Sequence, residues 1–131
     1  MAVVTTYRAY ETTLPLVVGG VSTVFWDQSL PADTAAGGDS IACFDLPAGA
    51  RVTAGSLCVE GTLGPSCTAT LMLGDTALTG ATTAGGADTA RMTAHPPAAA
   101  SAARTVRIAI GGADMATPAD VRVMIQYVMS P

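Results

Sequence analysis

Residues 40–75 read SIACFDLPAGARVTAGSLCVEGTLGPSCTATLMLGD, and their pattern decides the fold class. Ile41, Cys43 and Leu46 lead into the breaker cluster Pro47-Ala48-Gly49. A second apolar run covers 52–59, Gly61 to Pro65 interrupts it, and a third covers 67–73. Short apolar runs bounded by Gly and Pro are strands. Their succession predicts an antiparallel meander. Alternation puts Leu57 and Val59 on one face of the middle strand, and Cys67, Ala69, Leu71 and Leu73 on one face of the next. The register that unites these faces sets Val59 opposite Cys67 and Leu57 opposite Ala69, and turns Cys58 away. A bridge between Cys58 and Cys67 is therefore not expected. Cys43, Cys58 and Cys67 read as small buried or half-buried thiols.

The end of the chain alternates most clearly. Val106, Ile108 and Ile110 alternate with Thr105, Arg107 and Ala109. Val121, Val123, Ile125, Tyr127 and Met129 alternate with Arg122, Met124, Gln126 and Val128. Placing Ile110 opposite Val121 joins the apolar faces and predicts a hairpin. Met124 and Val128 stand where outward polar residues are expected. A strand apolar on both sides is buried on both, so these two are candidate subunit-interface residues.

Residues 1–13, MAVVTTYRAYETT, read as an extended arm. Val3, Thr5, Tyr7 and Ala9 share one face, and Arg8, Tyr10 and Thr12 the other. Two readings stay open: an edge strand of the same domain, or an arm reaching a neighbouring subunit. On the second, Val3, Tyr7, Arg8 and Tyr10 make the contacts. Residues 14–131 form one domain. Within it, 14–18 is a short strand kept to an edge by Pro15. Residues 21–26 form another strand ending in the sole tryptophan, Trp26, which plugs one end of a small core. Residues 27–39 form a polar loop whose Asp27, Asp33 and Asp39 are spaced too widely for an EF-hand. Residues 76–86 are small and polar, 90–94 form a short strand, His95 is a loop residue before two prolines, and 98–103 are a connector or a helical turn.

At 131 residues, with 50% hydrophobic and only 5% aromatic content, the core must be built from small and β-branched side chains. Charged residues are 12% of the chain, against about 25% in ordinary domains. There is no lysine, and the net charge is −4. No basic patch is available, so nucleic acid is not an expected partner. Weak charge leaves little repulsion between copies, which favours packing against other subunits. No run approaches the roughly 18 apolar residues of a membrane span. The start lacks the charged and apolar regions of a secretory signal, so synthesis and use in the cytoplasm are expected.

The chemistry-bearing patterns are missing too. There is no G-x-S-x-G elbow, no phosphate loop and no H-E-x-x-H. The paired glycines at 19–20, 37–38, 85–86 and 111–112 suit turns. Three cysteines without a C-x-x-C and a single histidine do not make a zinc site. No enzyme, cofactor or metal is expected. Seven or eight short strands with frequent turns predict an all-β, antiparallel β-sandwich of jelly-roll type.

The order of a short strand, LPAGARV, a strand, a glycine-bounded turn and a Thr-rich strand ending LGD resembles small head proteins of tailed bacteriophages, encoded beside the major capsid protein. The closing DVRVMIQYVM is similar to the ends of such chains. These are decoration, cement or auxiliary proteins. After LGD this chain continues TALTGATTAGG, where the family often has an acidic, arginine-containing segment. The resemblance implies a virion protein on the outer surface of the capsid, often a homotrimer, that clamps major capsid protein subunits and sometimes carries a further spike or fibre protein. The alternative is a receptor-binding or fibre-tip β-sandwich of the same virion, which calls for exposed aromatic or polar clusters near Trp26 and His95.

Overall fold

The computed structural model describes residues 3–4, 21–61, 63–81, 88–92 and 101–129. The strands are β1 (Val3–Val4), β2 (Val21–Leu30), β3 (Ser40–Leu46), β4 (Ala50–Glu60), β5 (Thr68–Leu73), β6 (Thr76–Ala77), β7 (Asp88–Arg91), β8 (Arg104–Gly111) and β9 (Ala119–Met129). No helix occurs among the described residues. One sheet has the order β1-β3-β8-β5-β6 and the other β2-β9-β4-β7. All pairings are antiparallel except the parallel β1–β3 contact. Apart from β1, the strand orders are those of a jelly roll, the predicted architecture.

The predicted meander and hairpin are corrected. β3 and β5 lie in the first sheet and β4 in the second, so neither turn of the 40–75 stretch joins paired strands. Val59 sits opposite Val121, and Ala69 opposite Ile110. Likewise β8 pairs with β3 and β5, and β9 with β2 and β4, so Ile110 does not face Val121. The physical reason is common to both. Apolar faces that look complementary in one sheet are equally complementary across two stacked sheets, and here they meet across the sandwich.

The turns are built for these crossings. Pro47 O accepts the Ala50 N–H at 3.2 Å, with Gly49 at φ 85°, the left-handed position of a type II turn. Arg104 Nη2 then donates to Ala50 O at 2.9 Å. At the return crossing the Cys67 N–H reaches Gly64 O at 3.3 Å. The LGD segment does form a hairpin, pairing Leu73 with Thr76 through Gly74-Asp75. The sheet order continues past it: the Leu78 N–H donates to Leu71 O at 2.8 Å, and Leu78 is fully buried. The start of the 76–86 stretch is therefore structured.

Inward residues alternate as expected, and the core fills with Trp26, Phe44, Leu57, Leu71, Ile108, Ile125 and Tyr127, each at most 1% exposed. Each such side chain contributes roughly 1.5–3 kcal/mol by leaving water. Trp26 is a core plug. β2 continues four residues beyond it, to Leu30. The rest of the 27–39 loop is fastened to the β8–β9 connection. The Asp33 N–H donates to Met115 O at 2.9 Å, the Met115 N–H to Ala35 O at 3.0 Å, and the Gly38 N–H to Ile110 O at 2.7 Å. This stiffens one end of the sandwich. Cys43 and Cys67 are buried and Cys58 is half-buried, and none of the three is in a disulfide. The 14–18 strand, His95 and most of the 1–13 arm lie outside the described residues.

Candidate assembly surface

The outer face of the β2-β9-β4 sheet is a ladder whose rungs follow from register. Val21, Val128 and Arg51 form the first rung, and Thr23, Gln126 and Ala54 the second. Phe25, Met124 and Ser56 form the third. Asp27, Arg122 and Cys58 make the fourth, and Ser29, Asp120 and Glu60 the fifth. The ladder has two characters. Its last two rungs are charged and satisfy one another: Arg122 Nη1 meets Glu60 Oε1 at 2.7 Å, and the Ser29 hydroxyl donates to Asp120 Oδ1 at 2.6 Å. The first and third rungs are apolar on β2 and β9, with the exposed Arg51 closing the first on β4. Val21 is 66% and Phe25 58% exposed, and Met124 and Val128 are half-buried beside them. Beyond Met124 a cleft of about 410 Å³ opens between β4 and β7, lined by Ala54, Ser56, Arg91 and Met92 among others.

Sequence reasoning found Met124 and Val128 and missed Val21 and Phe25, which the register places directly opposite them. The signal was present. Val21 and Phe25 alternate with the inward Val24 and Trp26, so β2 is apolar on both sides, as β9 is. Of the proposed arm contacts, Val3 lies in β1, with Val3 paired to Ser40 and Val4 to Ile41 in the domain's own sheet. Tyr7, Arg8 and Tyr10 lie outside the described residues.

Nothing in the described site is poised for covalent chemistry. Burial, with a contribution from the Asp114 carboxylate, pushes the Cys67 thiol above its ordinary value, the reverse of what a nucleophilic thiol needs. Asp39 Oδ2 accepts the Ala36 N–H at 3.0 Å and Asp114 Oδ1 the Gly37 N–H at 2.9 Å. These carboxylates are engaged in closing turns. No cluster of three or more His, Cys, Asp or Glu side chains suited to a metal occurs among the described residues.

No family model and no curated protein sequence matches the chain. Solved structures do. A chain in the capsid of Ralstonia phage GP4 is similar with a TM-score of 0.70 and 24% identity, over 99% of this chain and 99% of that one. A chain in the capsid asymmetric unit of cyanophage Pam1 is similar with a TM-score of 0.60 and 18% identity, over 95% of this chain and 99% of that one. This chain shares its fold with chains of two phage capsids. The correspondence runs nearly end to end in both pairs of chains.

Proposed function

We propose that this chain is a structural virion protein that decorates the outside of a phage capsid and stabilises it by bridging major capsid protein subunits. The observation that carries the reading is the end-to-end likeness to chains from two solved phage capsids. The physics fits. A stiff β body with few charges and a half-apolar outer face suits a partner that packs against an ordered shell. A protein that binds the intact shell and not its disrupted form stabilises the shell by mass action.

In this reading copies associate as homotrimers through Met124 and Val128. The arm of residues 1–13 reaches the major capsid protein through Tyr7, Arg8 and Tyr10, with Val3 held in the domain's own sheet at its root, and a further head spike or fibre protein docks on the exposed side. Synthesis takes place in the host cytoplasm. The test is to mix purified protein with expanded empty capsids and sediment them. Co-sedimentation at a fixed stoichiometric copy number is expected; protein left in the supernatant at saturating capsid would overturn the proposal. The receptor-binding alternative calls for exposed aromatic or polar clusters near Trp26 and His95: Trp26 is fully buried, Phe25 beside it is 58% exposed, and His95 lies outside the described residues.

A further inference from the structure

We propose that β2 is a self-pairing edge: two copies of this chain join antiparallel through residues 21–25 across a two-fold axis at Thr23. The inference is independent of the capsid reading. Among the described residues β2 is the outermost strand of its sheet, and it pairs with β9 through all ten of its residues without a register shift. An outermost strand presents a row of backbone donors and acceptors, which proteins ordinarily blunt with Lys, Pro or a bulge. β2 has none of these, and Asp27 is its only charged residue. It also exposes Val21 and Phe25.

The side chains select both the partner and the register. Val21, Thr23, Phe25, Asp27 and Ser29 share the outward face. A two-fold axis at Thr23 sets Val21 against Phe25 of the other copy, Phe25 against Val21, and Thr23 against itself. Both exposed apolar side chains are then matched, and Asp27 runs past the end of the paired segment. Other two-fold registers fail. An axis at Val24 puts Val21 against Asp27 and Phe25 against Thr23. An axis at Phe25 puts Val21 against Ser29 and Thr23 against Asp27, and an axis at Asp27 opposes two carboxylates, which is unfavourable. Odd registers turn outward residues against inward ones. Chosen this way, the pairing yields one sheet running through both copies. The Val21–Val128 and Phe25–Met124 rungs of each copy merge into a single apolar band. The contact uses the strand edge and leaves the sheet face free, so it is compatible with trimers joined in pairs.

The test uses full-length protein in a Cys58→Ser background, since Cys43 and Cys67 are buried. A residue on the two-fold axis faces its own copy, so Thr23→Cys alone should cross-link. Directly opposed Cα atoms in an antiparallel pair lie about 4.5–5.5 Å apart, inside the roughly 4.4–6.8 Å that a disulfide spans, so mild oxidation can bridge them. Thr23→Cys is expected to become mostly covalent dimer, and Asp27→Cys, on the same face of the same strand, to remain uncrosslinked. A mixture of Val21→Cys and Phe25→Cys should cross-link at least ten-fold more than either alone. Sedimentation of the unmodified protein should show an even number of copies, and Phe25→Lys should halve that mass. Equal cross-linking at positions 23 and 27, none at 23, or an unmodified protein that is monomer or trimer would overturn the proposal.

Discussion

Arg107 holds the LGD turn from the neighbouring strand: its Nε donates to Gly74 O at 2.8 Å, and its Nη2 stands 3.8 Å from Asp75 Oδ1. Register brings it there, because β8 sets Arg107 beside Met72, two residues before the turn. The carboxylate of Asp75 is fully exposed, so the ion pair contributes little. The hydrogen bond from a largely buried guanidinium matters more. Arg107→Ala should lower stability by about 2 kcal/mol, read as a fall in Tm of roughly 5–10 °C. Asp75→Asn should change Tm very little. Equal effects of the two substitutions would assign the stabilisation to the ion pair instead.

Trp26 is the sole tryptophan and has no exposed surface. Native fluorescence should be blue-shifted and resist iodide quenching, and both properties should vanish together on unfolding. Trp26→Ala opens a large cavity at a cost of about 3–5 kcal/mol, a large share of the stability of a domain this size. Trp26→Phe should retain the fold at a smaller loss.

Gly112 and Gly74 both have positive φ, at 75° and 57°, but their surroundings differ. A Cβ at Gly112 would collide with the Ser66 carbonyl oxygen, whereas a Cβ at Gly74 meets nothing within 4 Å. Gly112→Ala should therefore cost about 3 kcal/mol from clash and backbone strain together. Gly74→Ala should cost roughly 1–2 kcal/mol from backbone conformation alone. Paired urea titrations measure the difference, and equal losses would mean that the approach of the Gly112 backbone to Ser66 is not a constraint.

Two buried acids share one pH signature. Burial is the main cause that raises the Cys67 thiol and the Tyr127 phenol above their ordinary values of 9.0 and 10.0; Asp114 adds to the first, and a hydrogen bond with Ser22 partly offsets the second. Both groups hold their protons more tightly folded than unfolded. Their contribution is thus fully present below the unfolded-state values and lost as pH rises through the folded ones. Urea midpoints should be flat on this account up to about pH 9 and decline above it. Tyr127→Phe should make the decline above pH 10 shallower. A midpoint that rises between pH 9 and 11 would contradict the burial of these groups. In the same range Cys67 should resist alkylation until the chain unfolds.

The apolar half of the outer ladder should govern association. Met124→Glu with Val128→Lys is expected to leave a folded protein with unchanged far-UV dichroism and a smaller sedimenting mass. Altering the charged half, for instance Glu60→Gln, should leave the mass unchanged, since Arg122 and Glu60 satisfy each other within one copy. An unchanged oligomer in the first variant would refute the assignment of Met124 and Val128 to a subunit contact.

Strand positions were legible in the sequence, because alternation and Gly/Pro punctuation are local properties. The runs at 40–46, 52–59, 104–110 and 121–129 fall within or close to β3, β4, β8 and β9. Partners were not legible. Alternation tells which face of a strand is apolar, not whether the matching face lies beside it or across the core, and Pro47-Ala48-Gly49 serves a crossing as well as a hairpin. Half of the candidate surface was visible through Met124 and Val128. Val21 and Phe25 were overlooked because Trp26 drew the reading of that strand inward. Their pairing with β9 depends on a contact about a hundred residues away in sequence, as in Phe25 opposite Met124.

The strand order also bears on biogenesis. β8 and β9, the strands nearest the carboxyl end of this chain, occupy interior places in their sheets, joining β3 to β5 and β2 to β4. Among the described residues only the short β5–β6 hairpin pairs strands that are consecutive in the chain. Before β8 and β9 emerge, a nascent polypeptide can form only the β1–β3, β4–β7 and β5–β6 pairs among the described strands, and such distant pairings make folding slow. Products that stop before β8 lack the strand that joins β3 to β5, and those that also lack β9 have nothing to join β2 to β4, so they hold only sheet fragments with exposed edges and apolar faces, open to proteolysis and aggregation.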